Sequence, residues 1–231
     1  MPNILHIESS TTVCSVALSA GGVAVCTREE FEGASHATRL PVFIEETLNF
    51  ARANNVIPDA VAVSAGPGSY TGLRIGVASA KGVCFGWDIP LIAIPTLLII
   101  ATAAAQEADT DMLIRPMIDA RRMEVYTALY DHNLTELEPA RPLIIDRETW
   151  HDRLEQTRTV FCGNGAEKCK GIINAQNALF LDNIVPLSVN MIAEAERRLA
   201  AGQTEDCACF EPFYMKEFQA TTPKNKIIHL Y

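Results

Sequence analysis

The stretch Gly66-Pro67-Gly68-Ser69-Tyr70-Thr71-Gly72-Leu73-Arg74-Ile75-Gly76 follows an apolar run and opens a helical pattern. In that setting glycines let a backbone approach a phosphate, and a helix N-terminus favours an anion. The spacing excludes the common phosphate loops. Gly66, Gly68 and Gly72 read G-x-G-x-x-x-G, not the dinucleotide fingerprint, and the sequence has no Gly-Lys-Ser or Gly-Lys-Thr. Ser69 does not sit in a nucleophile elbow, because Pro67 and Thr71 stand where flanking glycines are needed. The loop Gly66, Pro67, Gly68, Ser69, Tyr70, Thr71 is therefore read as a tight structural turn that aims the next helix.

Other residue types with chemical capacity are scattered. His36 beside Ser35 at a helix start fits a cap or a surface position better than a base. Asp119, Arg121 and Arg122 fall between two strands, where a hairpin turn or a salt bridge between lobes is expected before catalysis. Gly163-Asn164-Gly165 has the form of a phosphate cradle, but a plain strand-to-helix turn is the simpler reading. The seven cysteines are odd in number and form no C-x-x-C pair, so reduced thiols are expected. Cys207-Ala-Cys209 has no second close pair to complete a tetrahedral metal set.

The elements that position these residues follow from hydrophobic period. Ile4 to Glu8, Cys14 to Leu18 and Val23 to Arg28 read as a three-stranded meander. A helix from Thr38 to Ala53, a strand from Ala60 to Ser64, a helix to Gly86, a strand from Leu91 to Ile94 and a helix from Leu97 to Gln106 follow. The order then recurs: strands Leu113 to Ile118, Glu124 to Tyr130 and Pro142 to Ile145, a helix near Thr149 to Glu155, a strand Thr159 to Cys162, a helix near Ala166 to Ile172, a strand Ala178 to Leu181 and a helix Val189 to Ala201. Two such units in tandem define an α/β fold of the ribonuclease H-like, actin and Hsp70 type, with two lobes each built on a mixed sheet flanked by helices. The polar stretch Glu107 to Asp111 places the boundary, giving lobes 1–109 and 110–231, with the tail after about 209 packing back on the first lobe.

A 48% apolar share with 20% charged residues builds a sizeable core, and the net charge of −9 argues against a chain that grips nucleic acid by itself. The first residues lack a basic n-region and an apolar h-region, and the run Leu91 to Ala105 is interrupted by Pro95 and too short to span a bilayer, so a cytoplasmic protein is expected. The helix after the elbow is apolar or small on nearly every side. Leu73, Val77, Ala80 and Cys84 form one face, and Gly72, Gly76, Ser79 and Val83 another. In the preceding helix Leu40, Ile44, Leu48 and Ala51 make a core stripe and leave Phe43, Thr47 and Phe50 pointing elsewhere. These surplus faces either form a protein interface or pack on each other.

The segment Ala62 to Gly82 closely resembles the signature of the TsaB (YeaZ) family. So do Ser35-His36, Ile89-Pro90-Leu91 leading to Thr96-Leu97, Ile118-Asp119-Ala120-Arg121-Arg122-Met123-Glu124-Val125-Tyr126, and Glu211-Pro212-Phe213-Tyr214-Met215-Lys216. The related enzyme TsaD shares the fold and the elbow but carries N-H-x-x-x-H after the Ile-Pro strand, and adjacent acids after its first strand. Here Thr96 and Ile100 replace both metal ligands, Thr11-Thr12-Val13 stands for the acids, and Glu8 replaces the family's more usual Asp. The resemblance implies a non-catalytic subunit, without cofactor or metal, of the bacterial machinery that makes threonylcarbamoyladenosine in tRNA. It implies binding to and activation of TsaD through the first two helices, with Phe43, Thr47, Phe50, Gly72, Gly76, Ser79 and Val83 as the contact residues. It further implies a homodimer on the same surface when the chain is alone, a TsaE ATPase as third partner, and tRNA contact only through the complex. The alternative is an enzyme of the same fold, a metallopeptidase or an ATP-dependent phosphotransferase.

Overall fold

The computed structural model describes residues 1–31 and 36–215. Ser35 and Lys216, quoted above, lie outside them. The first lobe is a five-stranded sheet in the order β3-β2-β1-β4-β5, built from β1 (Asn3–Glu8), β2 (Cys14–Ala20), β3 (Val23–Glu30), β4 (Ala60–Gly66) and β5 (Leu91–Pro95). β1 runs antiparallel to β2 and parallel to β4, and β4 runs parallel to β5. The second sheet repeats this plan as β10-β9-β6-β7-β8, from β6 (Leu113–Asp119), β7 (Glu124–Tyr130), β8 (Glu136–Ile144), β9 (Thr159–Cys162) and β10 (Ala178–Phe180). Each sheet pairs an antiparallel meander with two parallel strands. The fold is the duplicated actin/Hsp70-like, ribonuclease H-like class expected from the order of elements.

β4 has the sequence AVAVSAG and is buried at every position, as a central parallel strand with helices over both faces must be. Over one face lie α1 (His36–Ala53) and α2 (Tyr70–Trp87), whose Leu40, Ile44, Leu48, Val77, Ala80 and Cys84 meet Leu5, Ile7, Val61 and Val63. The other face, with Ile4, Ala60, Ala62, Ile92 and Ile94, packs on Ile99 of α3 (Thr96–Ala105) and on Met191 and Ala195 at α5 (Ile192–Ala200). α3 is apolar all round because it lies between the sheets: its Leu97, Ile100, Ala101 and Ala104 face Ile114, Ile118 and Ala128 of the second. On the outer face of the second sheet Met117, Val125 and Phe161 close over Leu154 of α4 (His151–Gln156), Cys169 and Ile173.

Beyond α5 the chain returns along the first sheet. The Glu205 N–H donates to the Leu91 carbonyl at 2.8 Å, and the Phe213 N–H to the Ala65 carbonyl at 2.7 Å. Cys207 and Phe210 pack on the core under α2, and the Tyr214 ring lies 4.9 Å from that of Tyr70.

Two elements differ from the sequence reading. β8 begins at Glu136, well before Pro142, because it is an edge strand whose early residues are mostly polar and carry no apolar alternation. The expected helix from Ala166 to Ile172 is a single 3-10 turn, Glu167–Cys169. Its residues only need to bring Cys169 and Ile173 under the sheet, and Gly171 follows at once.

Candidate functional site

At the elbow, β4 ends on Gly66 with φ +104, where a Cβ would lie 2.6 Å from the Phe213 carbonyl oxygen. Ser69 then caps α2. Its Oγ accepts from the Gly72 N–H at 3.3 Å, and its own N–H donates to the Ser10 carbonyl at 2.6 Å. A Cβ on Gly72 would collide with the Ser9 carbonyl oxygen and one on Gly76 with the Ser9 hydroxyl, which donates to the Gly72 carbonyl at 2.9 Å. The Ser9-Ser10 turn after β1 thus lies in the glycine groove of α2. In a phosphate loop these backbone donors and this space serve an anion, whereas here a neighbouring carbonyl and hydroxyl fill them.

Glu8, at the end of β1, is fully buried. Its Oε1 accepts from the Ser10 N–H at 2.6 Å and the Ser10 hydroxyl at 2.5 Å, while Oε2 has no hydrogen-bond partner among the described residues. Burial pushes the carboxyl up to about 7, against the opposing effect of the Ser10 and Ser64 hydroxyls. Two residues earlier His6 is equally buried, accepts or donates one bond to the Ser19 hydroxyl at 2.8 Å, and is held down at about 3 by desolvation. Both groups lie in the packed interior of the first sheet.

The structure corrects the assignment of the helix faces. Phe43 and Thr47 are buried, because α1 leans on β2 and β3 as well as on α2 and so hides a broad arc comprising Leu40, Phe43, Ile44, Thr47, Leu48 and Ala51. Phe50 is half-buried against Leu18 and Cys26. Gly72 and Gly76 are buried on Ser9, and Val83 leans on the core, so six of the seven expected contact residues serve the chain's own packing first, with Phe50 and Val83 keeping part of their surface. Ser79 is the exception in kind: it lines a cleft of about 430 Å³ between the helices with Pro41, Ile44, Glu45, Leu48, Asn49 and Arg52.

What α2 turns outward is different. Phe85 is 89% exposed, and Gly82 and Gly86 beside it have nothing within 4 Å of a built Cβ. On α1 Val42 is 40% exposed on the same side of the core stripe as Glu45 and Glu46. The sequence reading missed Phe85, although it is the large apolar residue on the arc through Ala78 and Gly82, opposite Leu73, Val77, Ala80 and Cys84.

In the second lobe the structure brings together most of the scattered candidates. Asp119 takes an ion pair from Lys168 and accepts from the Arg121 N–H at 2.9 Å, and its own N–H donates to Asn164 Oδ1 at 3.0 Å. Gly163-Asn164-Gly165 is therefore a turn packed on the end of β6, with the Gly165 N–H on the Met117 carbonyl at 3.0 Å. His36 is half-exposed at the start of α1 and far from this group in the fold's other lobe. Elsewhere Arg115, 1% exposed, lies over the Trp150 ring at 4.2 Å and gives two 3.0 Å bonds to Glu138, which Arg141 and Arg153 also approach. Despite partial burial, Arg115 first and then the other two guanidiniums hold the Glu138 carboxyl below its usual range.

Thr96 and Ile100, one turn apart at the start of α3, are fully buried, and Ile100 packs in the core with no ligating atom. A metal ion held across these two positions does not fit. Fold and site together define a duplicated actin/Hsp70-like protein whose phosphate turn and α3 start are occupied by its own packing.

The chain belongs to the family described as TsaD: tRNA N6-adenosine threonylcarbamoyltransferase, whose family model matches residues 30–223. It is similar to the tRNA threonylcarbamoyladenosine biosynthesis protein TsaB of Escherichia coli (strain K12), 29% identical over 224 residues, covering 92% of this chain and 94% of that one. The protein of the same description from Bacillus subtilis (strain 168) is 34% identical over 139 residues, 60% of this chain and 59% of that one. Among solved structures, an uncharacterized Pseudomonas aeruginosa protein with similarity to peptidase YEAZ superposes with a TM-score of 0.82 at 26% identity, covering 94% of this chain and 100% of that one. The TsaB (YeaZ) resemblance carried by the elbow is borne out.

Proposed function

We propose that the chain is a non-catalytic subunit in tRNA threonylcarbamoyladenosine biosynthesis, which binds and activates a TsaD-type transferase through the outward arc of α1 and α2. The observation that carries this reading is Phe85, an aromatic side chain 89% exposed on a helix whose neighbouring glycines leave open surface for close approach. A lone exposed aromatic is ordinary on a surface, and what favours docking is its seat beside two open glycines, since buried aromatic anchors dominate interfaces. The filled phosphate turn and the side chains at Thr96 and Ile100 support the absence of chemistry in this chain, and count against the metallopeptidase and phosphotransferase alternatives. The names of the similar proteins supply the pathway. On this reading a TsaE-type ATPase joins the complex, the same arc forms a homodimer when TsaD is missing, and tRNA is reached only within the assembly, in the cytoplasm. No helix among the described residues is long and apolar enough to cross a membrane.

Mixing the chain with the transferase of the same organism gives a heterodimer on a sizing column, and tRNA modification depends on it. Phe85→Asp keeps the circular dichroism spectrum and thermal midpoint of the parent and weakens the heterodimer by about 30-fold or more, a hot-spot loss of about 2 kcal/mol. No complex and no dependence of modification on the chain would refute the reading.

A further inference from the structure

The tip of the β6–β7 hairpin is built against its residues' preference. Register pairs Asp119 with Val125, and the Glu124 N–H closes the turn on the Arg121 carbonyl at 3.1 Å. That bond places Arg122 and Met123 at the centre of the turn, and Arg121 and Arg122 take left-handed φ of +71 and +49. Successive left-handed residues are strained for L side chains, and Gly, then Asn, take that backbone at least cost. The chain nonetheless carries two arginines, and props them from below. Lys168 donates to the Arg122 carbonyl at 2.8 Å and the Glu124 carbonyl at 2.6 Å, and Asp119 accepts the Arg121 N–H.

The two guanidiniums are exposed, and among the described residues no carboxylate lies within ion-pair distance of either. Asp119, two residues before Arg121, is taken by Lys168. Arg28, Arg39, Arg115, Arg158, Arg197 and Arg198 hold carboxylates, whereas Arg52 and Arg74, which also lack one among the described residues, rest on aromatic rings. In a chain of net charge −9, two uncompensated arginines on a braced turn form a local cationic point. The turn stands at the carboxyl ends of β6 and β9, the end of a parallel sheet at which ligands gather. Guanidinium groups match phosphate oxygens bidentately.

We propose that Arg121 and Arg122 hold the phosphodiester backbone of the tRNA while the chain is assembled with its transferase. This rests on the function proposed above and assigns the chain a direct hand in RNA contact. The contact positions the RNA without reading bases, since a short hairpin tip presents charge and no groove-reading element.

The test uses the complex with the transferase, an unmodified tRNA transcript and two variants. Arg121→Asn with Arg122→Gly supplies residues that take left-handed backbone at low cost, and Arg121→Glu with Arg122→Glu reverses the charge. Heterodimer formation is measured first on the sizing column and tests the underlying reading by itself. Both variants are expected to form the heterodimer as the parent does. The Asn-Gly variant melts higher than the parent yet binds tRNA about tenfold more weakly, and its log-affinity against log-salt slope falls by roughly 1 to 2. The Glu variant binds more weakly still. Unchanged tRNA affinity and slope would overturn the proposal. So would a loss of heterodimer in the charge variants alone, which would make a protein carboxylate the partner of the tip. If the parent forms no heterodimer, the reading on which the proposal rests is refuted and the proposal with it.

Discussion

Burial holds the Glu8 carboxyl up at about 7 and the His6 imidazole down at about 3, so neighbouring residues on β1 give stability opposite slopes with pH. Folded Glu8 keeps its proton above the ordinary value of 4.5, so its contribution is complete below that pH and is lost as pH rises through about 7. Folded His6 refuses a proton that the unfolded chain accepts below 6.5, so its effect is a loss of stability as pH falls from there toward about 3. Between about 4.5 and 6.5 the two contributions largely cancel. Glu8→Gln removes one of them and exposes the other. Denaturant midpoints of the variant should climb with pH across this window, where the parent's contribution from the pair is flat. At pH 8 the variant should escape a charge-burial cost on the order of 3 kcal/mol, less about 1 kcal/mol for amide hydrogens that the site cannot pair. A variant with the parent's pH profile would mean that Glu8 is not protonated in the folded chain.

At the scale of elements, the seating of α2 on the Ser9-Ser10 turn explains why its glycines are there. A Cβ on Gly76 meets the Ser9 hydroxyl first and the Ser9 Cβ only at 3.4 Å. Gly76→Ala should therefore cost about 3 kcal/mol as overpacking, whereas in a Ser9→Ala background the same change should cost about 1 kcal/mol. Urea titrations of the four proteins check this, and additive losses would contradict the contact. Most of this architecture was legible in the sequence: the doubled strand order, the elbow and the apolar α3 all follow from period and turn chemistry. The direction of each helix face was not. Phe43, Thr47, Gly72 and Gly76 look surplus when one stripe is assigned to the core. Only tertiary packing shows that α1 touches two strands and a helix, and that a turn far away in sequence fills the glycine groove. Phe85 escaped notice for the converse reason, since an aromatic near the end of a mostly small helix reads as core until its 89% exposure is known.

For the whole molecule, the cover of the first sheet comes from both ends of the chain. Met191 and Ala195 lie on one face, Cys207 and Phe210 on the other, and the Glu205 and Phe213 N–H groups satisfy carbonyls of β5 and β4. Ending the chain at Gly202 removes two partly buried apolar side chains and two backbone bonds. The expected loss is about 4 kcal/mol, a large share of an ordinary domain's stability, read as a lower urea midpoint with greater dye binding to exposed apolar surface. An unchanged midpoint would show that the tail adds nothing to the fold.

The same return path sets an order on biosynthesis. β1 to β5 leave the ribosome long before Met191, Phe210 or Phe213 exists, so the nascent first sheet emerges with one face covered by α3 alone and the Ala65 carbonyl without its Phe213 donor. It waits through the translation of the whole second lobe for its last pieces. During that interval the partly covered strands are the part of the chain that a folding helper would have to shield.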